Sequence, residues 1–240
     1  MPRRRRGWID DACYHVTHRC HEREFLFKFA KHRDIYVRQL WAMKQRFRVD
    51  ILDYMVTCNH VHLLLTARHS SDISKALQFL HGSVGQRYNI LKKRQGAFWS
   101  DRFHSTRIQN GKHLSRCLFY IDLNMIRAGA VDSPEEWRHC GIHELLGEKR
   151  RYCIINMKRL LQCLGIKSEA AFIEWHQATL NEKLSCISHE RESYWSEAIA
   201  VGNPDWLQIS AQDAGLKQYS LKNRKIEGKN TYIHFLTGTN

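Results

Sequence analysis

Three short segments of the chain are rich in β-branched and aromatic residues, a composition that is typical of strands. They are Ala12 to Thr17, Asp50 to Val56 and His60 to Thr66. The second and third are separated only by residues 57–59, a spacing that predicts a tight hairpin. We therefore expect them to be central strands of a sheet.

Other segments place apolar residues at helical spacing. Between Ser71 or Asp72 and Lys93, for example, apolar residues recur along one side of a helix, and a basic run follows at its carboxyl end. The segment from Phe98 to Ile108, aromatic and basic by turns, is typical of extended chain. The pattern predicts helices over residues 25–48, 71–93 and 112–128, the last ended by Gly129.

The second half of the chain has a different character. A helix start at residues 133–136 leads into a charge-balanced helical region that runs to about residue 200, and residues 217–230 form a polar tail. The chain has only 3 prolines and 13 glycines in 240 residues, which favours long helices joined to a few strands. We predict an α+β domain over residues 1–130 and a mainly helical extension over residues 131–240.

The distribution of charge also changes near residue 130. The formal net charge is +14. Residues 1–130 contain 24 lysines and arginines against 10 aspartates and glutamates, whereas residues 131–240 contain 14 of each. A basic surface that served solubility alone would extend along the whole chain. The asymmetry therefore predicts that one face of the first domain contacts a polyanion, most simply nucleic acid.

The N-terminal residues, the lengths of the apolar runs and the cysteine spacing indicate where in the cell the protein works. Residues 3–6 are four arginines with no apolar stretch behind them, and no window of about 18 apolar residues follows. Eight cysteines include no C-x-x-C pair, so no disulfide framework is implied. We expect a cytoplasmic protein without a membrane partner.

Two histidines on one predicted strand are the first candidate for chemistry. In His60-Val61-His62 the period of two places both imidazoles on one face of the strand. Adjacent imidazoles form half of a metal site. The spacing alone is weak support, because the chain contains 15 histidines and such pairs also arise by chance.

A second candidate lies on the helix predicted over residues 112–128. Tyr120 and Asn124 are four residues apart and therefore project from one face of it. The simpler alternative is structural. Tyr120 would then pack at the margin of the apolar stripe, and Asn124 would form hydrogen bonds near the helix end.

Taken together, these motifs resemble a known family. His60-Val61-His62 follows Cys58-Asn59, and the run from Tyr120 to Val131 reads Tyr-Ile-Asp-Leu-Asn-Met-Ile-Arg-Ala-Gly-Ala-Val. The chain is similar over roughly residues 8–145 to the single-tyrosine HUH (His-hydrophobic-His) transposases of bacterial insertion sequences, and among them to the REP-associated tyrosine transposases. One departure is Met125, where the family commonly has proline, which weakens the case for a helix kink at that point.

The resemblance implies an HUH endonuclease-like antiparallel sheet of about four or five strands, flanked by helices. It implies that Tyr120 attacks single-stranded DNA and forms a 5′-phosphotyrosine intermediate, so that DNA is cleaved and rejoined. His60, His62 and Asn124 would bind Mg²⁺ or Mn²⁺. The implied partner is a hairpin of a repetitive extragenic palindrome with a single-stranded extension, bound by a monomer or a homodimer.

DNA contacts are expected from basic and aromatic positions near these motifs. The candidates are Arg3, Arg4, Arg5, Arg6, Trp99, Arg102, Phe103, Arg107 and Arg127. The aromatic members fit a protein core equally well.

Three other interpretations remain open at this point. Cys13, His15, His18, Cys20 and His21, or His139, Cys140 and His143, could form a zinc site, although neither set has zinc-finger spacing. His15-Val16-Thr17 with His113-Leu114-Ser115 fits the paired motif of two-histidine phosphoesterases that act on RNA. A non-catalytic regulator that binds repeat DNA is the third alternative.

Overall fold

The computed structural model describes residues 7–148, 151–187, 192–213, 215, 219–225 and 232–238. The predicted arginine arm, Arg3, Arg4, Arg5 and Arg6, lies outside these residues.

The first half of the chain contains four strands interleaved with helices. In chain order these are β1 (Cys13–Arg19), α1 (Ala30–Arg46), β2 (Asp50–Val56), β3 (His60–Thr66), α2 (Ser71–Lys92), β4 (His104–Ile108), α3 (Lys112–Asp122) and α4 (Asn124–Arg127). The hairpin of β2 and β3 and the helix after it are confirmed. The first helix begins at Ala30, five residues later than predicted, because the chain up to Phe29 is extended or in turns.

Within the described residues, the second half contains further helices and three more strands. They are α5 (Ile142–Leu145), α6 (Met157–Leu164), α7 (Glu169–Ser185), α8 (Tyr194–Glu197), β5 (Ala200–Gly202), α9 (Pro204–Asp213), β6 (Ser220–Lys225) and β7 (Tyr232–Thr237). Ser168 caps α7 by accepting a hydrogen bond from the Ala171 amide at 3.2 Å. Residues 134–136, predicted to start a helix, form only one 3₁₀ turn.

All described strands join one sheet in the order β2-β3-β1-β4-β5-β7-β6. The neighbouring pairs are antiparallel except β4 and β5, which are parallel. The α+β class is confirmed, but the sheet is mixed and is larger than expected. Three of the seven described strands come from the extension. β5 is too short for its pattern to be recognised, and the polar edge strand β6 is held by its pairing with β7.

Helices cover both faces of the sheet. β2 and β3 are buried along nearly their whole length, which requires apolar layers on both sides. α1 and α2 pack on one face, while α3 contacts β2 and β4 from the other. Phe172, Trp195 and Ile233 from the second half belong to the same buried cluster as the first-half strands. The division into two domains near residue 130 stays a prediction.

None of the helices within the described residues is long and apolar enough to cross a membrane.

A candidate active site at the histidine pair

The register of three strands determines which side chains meet on the face of the sheet that α3 covers. β1 lies between β3 and β4, so that Thr17 is opposite both His62 and His104, and Arg19 is opposite His60. Residues opposite each other in antiparallel strands point to the same face. Three strands therefore present a continuous polar surface.

A pocket of about 420 Å³ lies on this surface. Strand residues form one side of it, and the helix pair α3 and α4 closes another. The lining residues are Thr17, Arg19, His60, His62, Ser100, Arg102, His104, Tyr120, Asn124, Arg127, Ala128 and Ser196. The pocket thus contains Tyr120 together with the three predicted metal ligands.

Tyr120 is held from several sides and is only 8% exposed. Its ring centroid lies 5.7 Å from that of His62, 5.9 Å from that of His15 and 6.0 Å from that of Trp195. The Arg127 guanidinium lies 4.5 Å from the centroid of the tyrosine ring and also donates a hydrogen bond to the Tyr120 carbonyl. This packing holds the phenol in one position beside the histidines and places a cation against it.

Asn124 reaches the histidine pair because the helix breaks beside it. α3 ends at Asp122, Leu123 has φ −85° and ψ 4°, and a second short helix starts at Asn124. The continuous helix predicted over 112–128 is therefore wrong, and the break forms without a proline. Gly129, at φ +64°, stops the second helix as predicted. The Asn124 side-chain nitrogen lies 3.3 Å from His62 Nε2.

The proton on His60 is assigned by its neighbours. Nδ1 lies 2.7 Å from Asn59 Oδ1 and 2.9 Å from Thr57 Oγ1. The Thr57 hydroxyl donates to the His60 carbonyl at 2.8 Å, so its oxygen accepts from the ring. Nδ1 therefore carries a proton, and in the neutral ring the lone pair lies on Nε2.

His62 and His15 form a buried imidazole pair. His62 Nδ1 lies 2.9 Å from His15 Nε2, and His15 Nδ1 lies 2.7 Å from the Trp195 carbonyl oxygen. Burial lowers the pKa of His15 to about 4. Burial also lowers the pKa of His62 well below its usual range, and the nearby His60, His15 and Arg127 act in the same direction. Both rings are neutral at physiological pH.

These residues fit a divalent cation. His60 and His62 each have Nδ1 engaged, so Nε2 would be the ligating nitrogen of each ring. Asn124, whose amide nitrogen lies 3.3 Å from His62 Nε2, would contribute the oxygen of the same amide. Such a set leaves positions for phosphate oxygens and water, which suits Mg²⁺ or Mn²⁺ better than closed zinc coordination.

The zinc alternatives are not formed. Across the described ranges, no three His, Cys, Asp or Glu side chains converge to hold a metal ion. Strand alternation is the reason for the first set, since it places Cys13 and His15 on one face of β1 and His18 and Cys20 on the other. In the second set, His139 contacts Asp34 and His143 contacts Glu148.

The phosphoesterase alternative also lacks a site. Neither His15 nor His113 is among the described residues that line the pocket. His15 is fully buried, and its two ring nitrogens contact His62 and the Trp195 carbonyl.

The predicted DNA-binding residues that the structure describes divide into three groups. Arg102 and Arg127 line the pocket. Trp99 stacks on His18 at 4.1 Å between ring centroids, and Phe103 packs between Trp8 and His81, so both belong to an aromatic cluster on the other face of β1.

Arg107 is directed away from the pocket. It donates to Ser210 Oγ at 2.9 Å and to Asp213 Oδ2 at 3.2 Å, and its guanidinium lies 5.0 Å from the Trp206 ring centroid. It therefore joins the sheet to α9.

Several pocket residues were absent from the sequence predictions. Thr17, Arg19 and His104 could have been found, because the period of two that selected His60 and His62 applies to any strand beside them. Ser196 and the Trp195 carbonyl come from α8, and no local pattern connects that turn with β1.

The chain is similar to known proteins in sequence and in fold. Residues 9–124 match the family described as "Transposase IS200 like". The fold is similar to that of a REP-associated tyrosine transposase bound to a REP hairpin, at 19% identity and a TM-score of 0.52, over 61% of this chain and 86% of the other.

A protein of Deinococcus radiodurans, provisionally named a transposase, is similar at 16% identity and a TM-score of 0.37, over 53% of this chain and 97% of the other. A TM-score of that size is below the range that indicates a common fold. No curated protein matches the chain significantly.

Proposed function

We propose that this protein, whose residues 9–124 match the family described as "Transposase IS200 like", cleaves and rejoins single-stranded DNA, with Tyr120 as the nucleophile. The observation that carries the proposal is the pocket itself. The described residues of one chain supply the tyrosine, two imidazoles whose Nδ1 atoms are engaged, and an amide, all around a space of about 420 Å³.

The reaction is an exchange of phosphoesters. The Tyr120 oxygen attacks phosphorus, a bond forms between that oxygen and the 5′ phosphate, and the bond to the 3′ oxygen breaks. The phenol loses its proton and the departing 3′ oxygen gains one. The covalent intermediate retains a phosphoester, so a later 3′-hydroxyl can reverse the attack and join new ends.

The side chains around Tyr120 suit this role. The ring contacts with His15, His62 and Trp195 restrict the phenol, which lowers the cost of orienting it for attack. Arg127 against the ring and Arg19 and Arg102 in the pocket supply positive charge for a phosphate. His60, His62 and Asn124 would hold Mg²⁺ or Mn²⁺, which when bound neutralises charge on the phosphate and aligns its oxygens.

We propose hairpin DNA with a single-stranded extension as the substrate. Two observations support it: the similar fold of the REP-associated transposase is bound to a REP hairpin, and the net charge of this chain lies in residues 1–130. The described residues of one chain bring Tyr120, His60, His62 and Asn124 into one arrangement around the pocket. A monomer or a homodimer is compatible with it.

The proposal is tested by incubating the protein with a single-stranded hairpin oligonucleotide and Mn²⁺ or Mg²⁺, then resolving covalent protein–DNA adducts on a denaturing gel. Wild type forms the adduct, and Tyr120→Phe forms none because the attacking oxygen is gone. Tyr36→Phe is a matched control, since Tyr36 is fully buried and its hydroxyl has no hydrogen-bond partner among the described residues.

An adduct with Tyr120→Phe would refute the mechanism. Hairpin binding by wild type without any adduct, in either metal, would favour a regulator that binds repeat DNA without cleaving it.

A further inference from the structure

The second half of the chain reaches the buried histidine pair through a main-chain oxygen. The Trp195 carbonyl lies 2.7 Å from His15 Nδ1, and His15 Nε2 lies 2.9 Å from His62 Nδ1. A chain of two hydrogen bonds thus runs from α8, through β1, to a predicted metal ligand on β3. Trp195 lies outside residues 9–124, the segment that matches the transposase family.

The direction of these hydrogen bonds follows from what each atom can do. A carbonyl oxygen only accepts, so His15 Nδ1 must carry a proton. His15 is completely buried, and its ring nitrogens contact a carbonyl and another imidazole but no carboxylate, so a second proton would leave an uncompensated buried charge. His15 Nε2 therefore accepts, and His62 Nδ1 donates to it.

We infer that His15 is a positioning residue that keeps the Nε2 lone pair of His62 directed into the pocket, and that the segment carrying Trp195 completes this arrangement. The inference rests on the proposed function. In the alternative tautomer, His62 Nε2 would carry the proton and could not bind a metal ion. Partners of this kind, behind a ligating histidine, typically change metal affinity by about 10- to 100-fold.

Other contacts hold α8 where the carbonyl is needed. The Thr106 hydroxyl lies 3.1 Å from the Trp195 carbonyl oxygen and 2.8 Å from that of Ala198. His104 Nε2 donates to the Ala198 carbonyl at 2.9 Å. The Trp195 ring also contacts Tyr120, so α8 contacts both parts of the site. This arrangement gives the second half of the chain, whose charges sum to zero, a role at the active site.

The test begins with the metal-free, full-length protein labelled with ¹⁵N-histidine. Long-range proton–nitrogen spectra distinguish imidazoles protonated at Nδ1 from those protonated at Nε2. Wild-type His62 is expected to be protonated at Nδ1. His15→Leu removes the acceptor, so His62 should lose that preference, whereas in His15→Gln the amide oxygen can accept and should retain it.

The second readout is Mn²⁺ affinity, measured by titration calorimetry with His62→Ala as the reference for loss of the site. His15→Leu should raise the dissociation constant by about 10- to 100-fold, and His15→Gln should recover most of it. Unchanged tautomer and affinity in His15→Leu would overturn the inference. So would a His15→Gln variant that folds but loses both.

Thr106→Val keeps the test decisive if His15→Leu does not fold, because it alters the support of the Trp195 carbonyl and leaves both histidines in place. A smaller shift in the same direction is expected in both readouts, and wild-type values would overturn the role of α8. The tautomer is measured without metal or DNA. A wild type with the expected tautomer but no DNA adduct would therefore refute the proposed function and leave the positioning of His62 intact.

Discussion

His15 and His18 lie three residues apart on the same strand, are both buried, and have entirely different surroundings. His15 faces the pocket side of the sheet and connects the Trp195 carbonyl to His62. His18 faces the other side, where its Nε2 donates to the Asp101 carbonyl at 2.7 Å and its ring stacks on Trp99. Residue type and burial are therefore poor guides to function. The hydrogen-bond partners of a buried histidine are a better guide.

The largest difference between the two faces is expected when one histidine on each is replaced, His62 on the pocket face and His18 on the other. His62→Ala should reduce adduct formation by about a thousandfold or more, because it removes a metal ligand whose loss costs several kcal/mol of transition-state stabilisation. His18→Phe should keep adduct formation within about threefold and lose about 1 kcal/mol of unfolding free energy with its hydrogen bond. Single-turnover cleavage rates and urea unfolding measure the two effects.

Equal losses of activity in His62→Ala and His18→Phe, at equal folded fractions, would contradict the distinction between the two faces.

A third buried histidine sharpens the contrast, because it is paired with an acid and not connected to the pocket. His176 Nε2 lies 2.8 Å from Asp122 Oδ2, and the two side chains are 0% and 1% exposed. The pair joins α7 to α3, the helix that contains Tyr120. His176→Leu leaves Asp122 buried without this partner and should cost about 3 kcal/mol of unfolding free energy.

The double substitution Asp122→Leu with His176→Leu should recover a large part of that loss, since an apolar pair leaves no buried charge. Urea unfolding of the two single variants and the double variant measures the coupling. A His176→Leu protein as stable as wild type would show that the pair contributes nothing to docking.

Much of this arrangement was accessible from the sequence, and the limit is physical. Strand alternation identified His60 and His62 as neighbours, and helical spacing identified Tyr120 with Asn124, because both periods are local properties of the chain. The helix break at Leu123 and the contact between Trp195 and His15 depend on packing between segments far apart in sequence. The strand β5 was missed because three residues are too few for a strand pattern.

Two arginines near β4 provide the smallest and finest form of the comparison. Arg102 lines the pocket, whereas Arg107 is engaged by Ser210, Asp213 and the Trp206 ring. Arg102→Ala should weaken hairpin DNA binding and reduce the slope of log affinity against log salt by about one, as expected for one lost phosphate contact. Arg107→Ala should leave that slope unchanged and lower the unfolding free energy by about 1 kcal/mol. Fluorescence anisotropy at several salt concentrations separates the two variants. A reduced slope in Arg107→Ala would mean that Arg107 leaves its contacts with α9 to bind DNA. Lining the pocket would then not distinguish the arginines that bind DNA from those that do not.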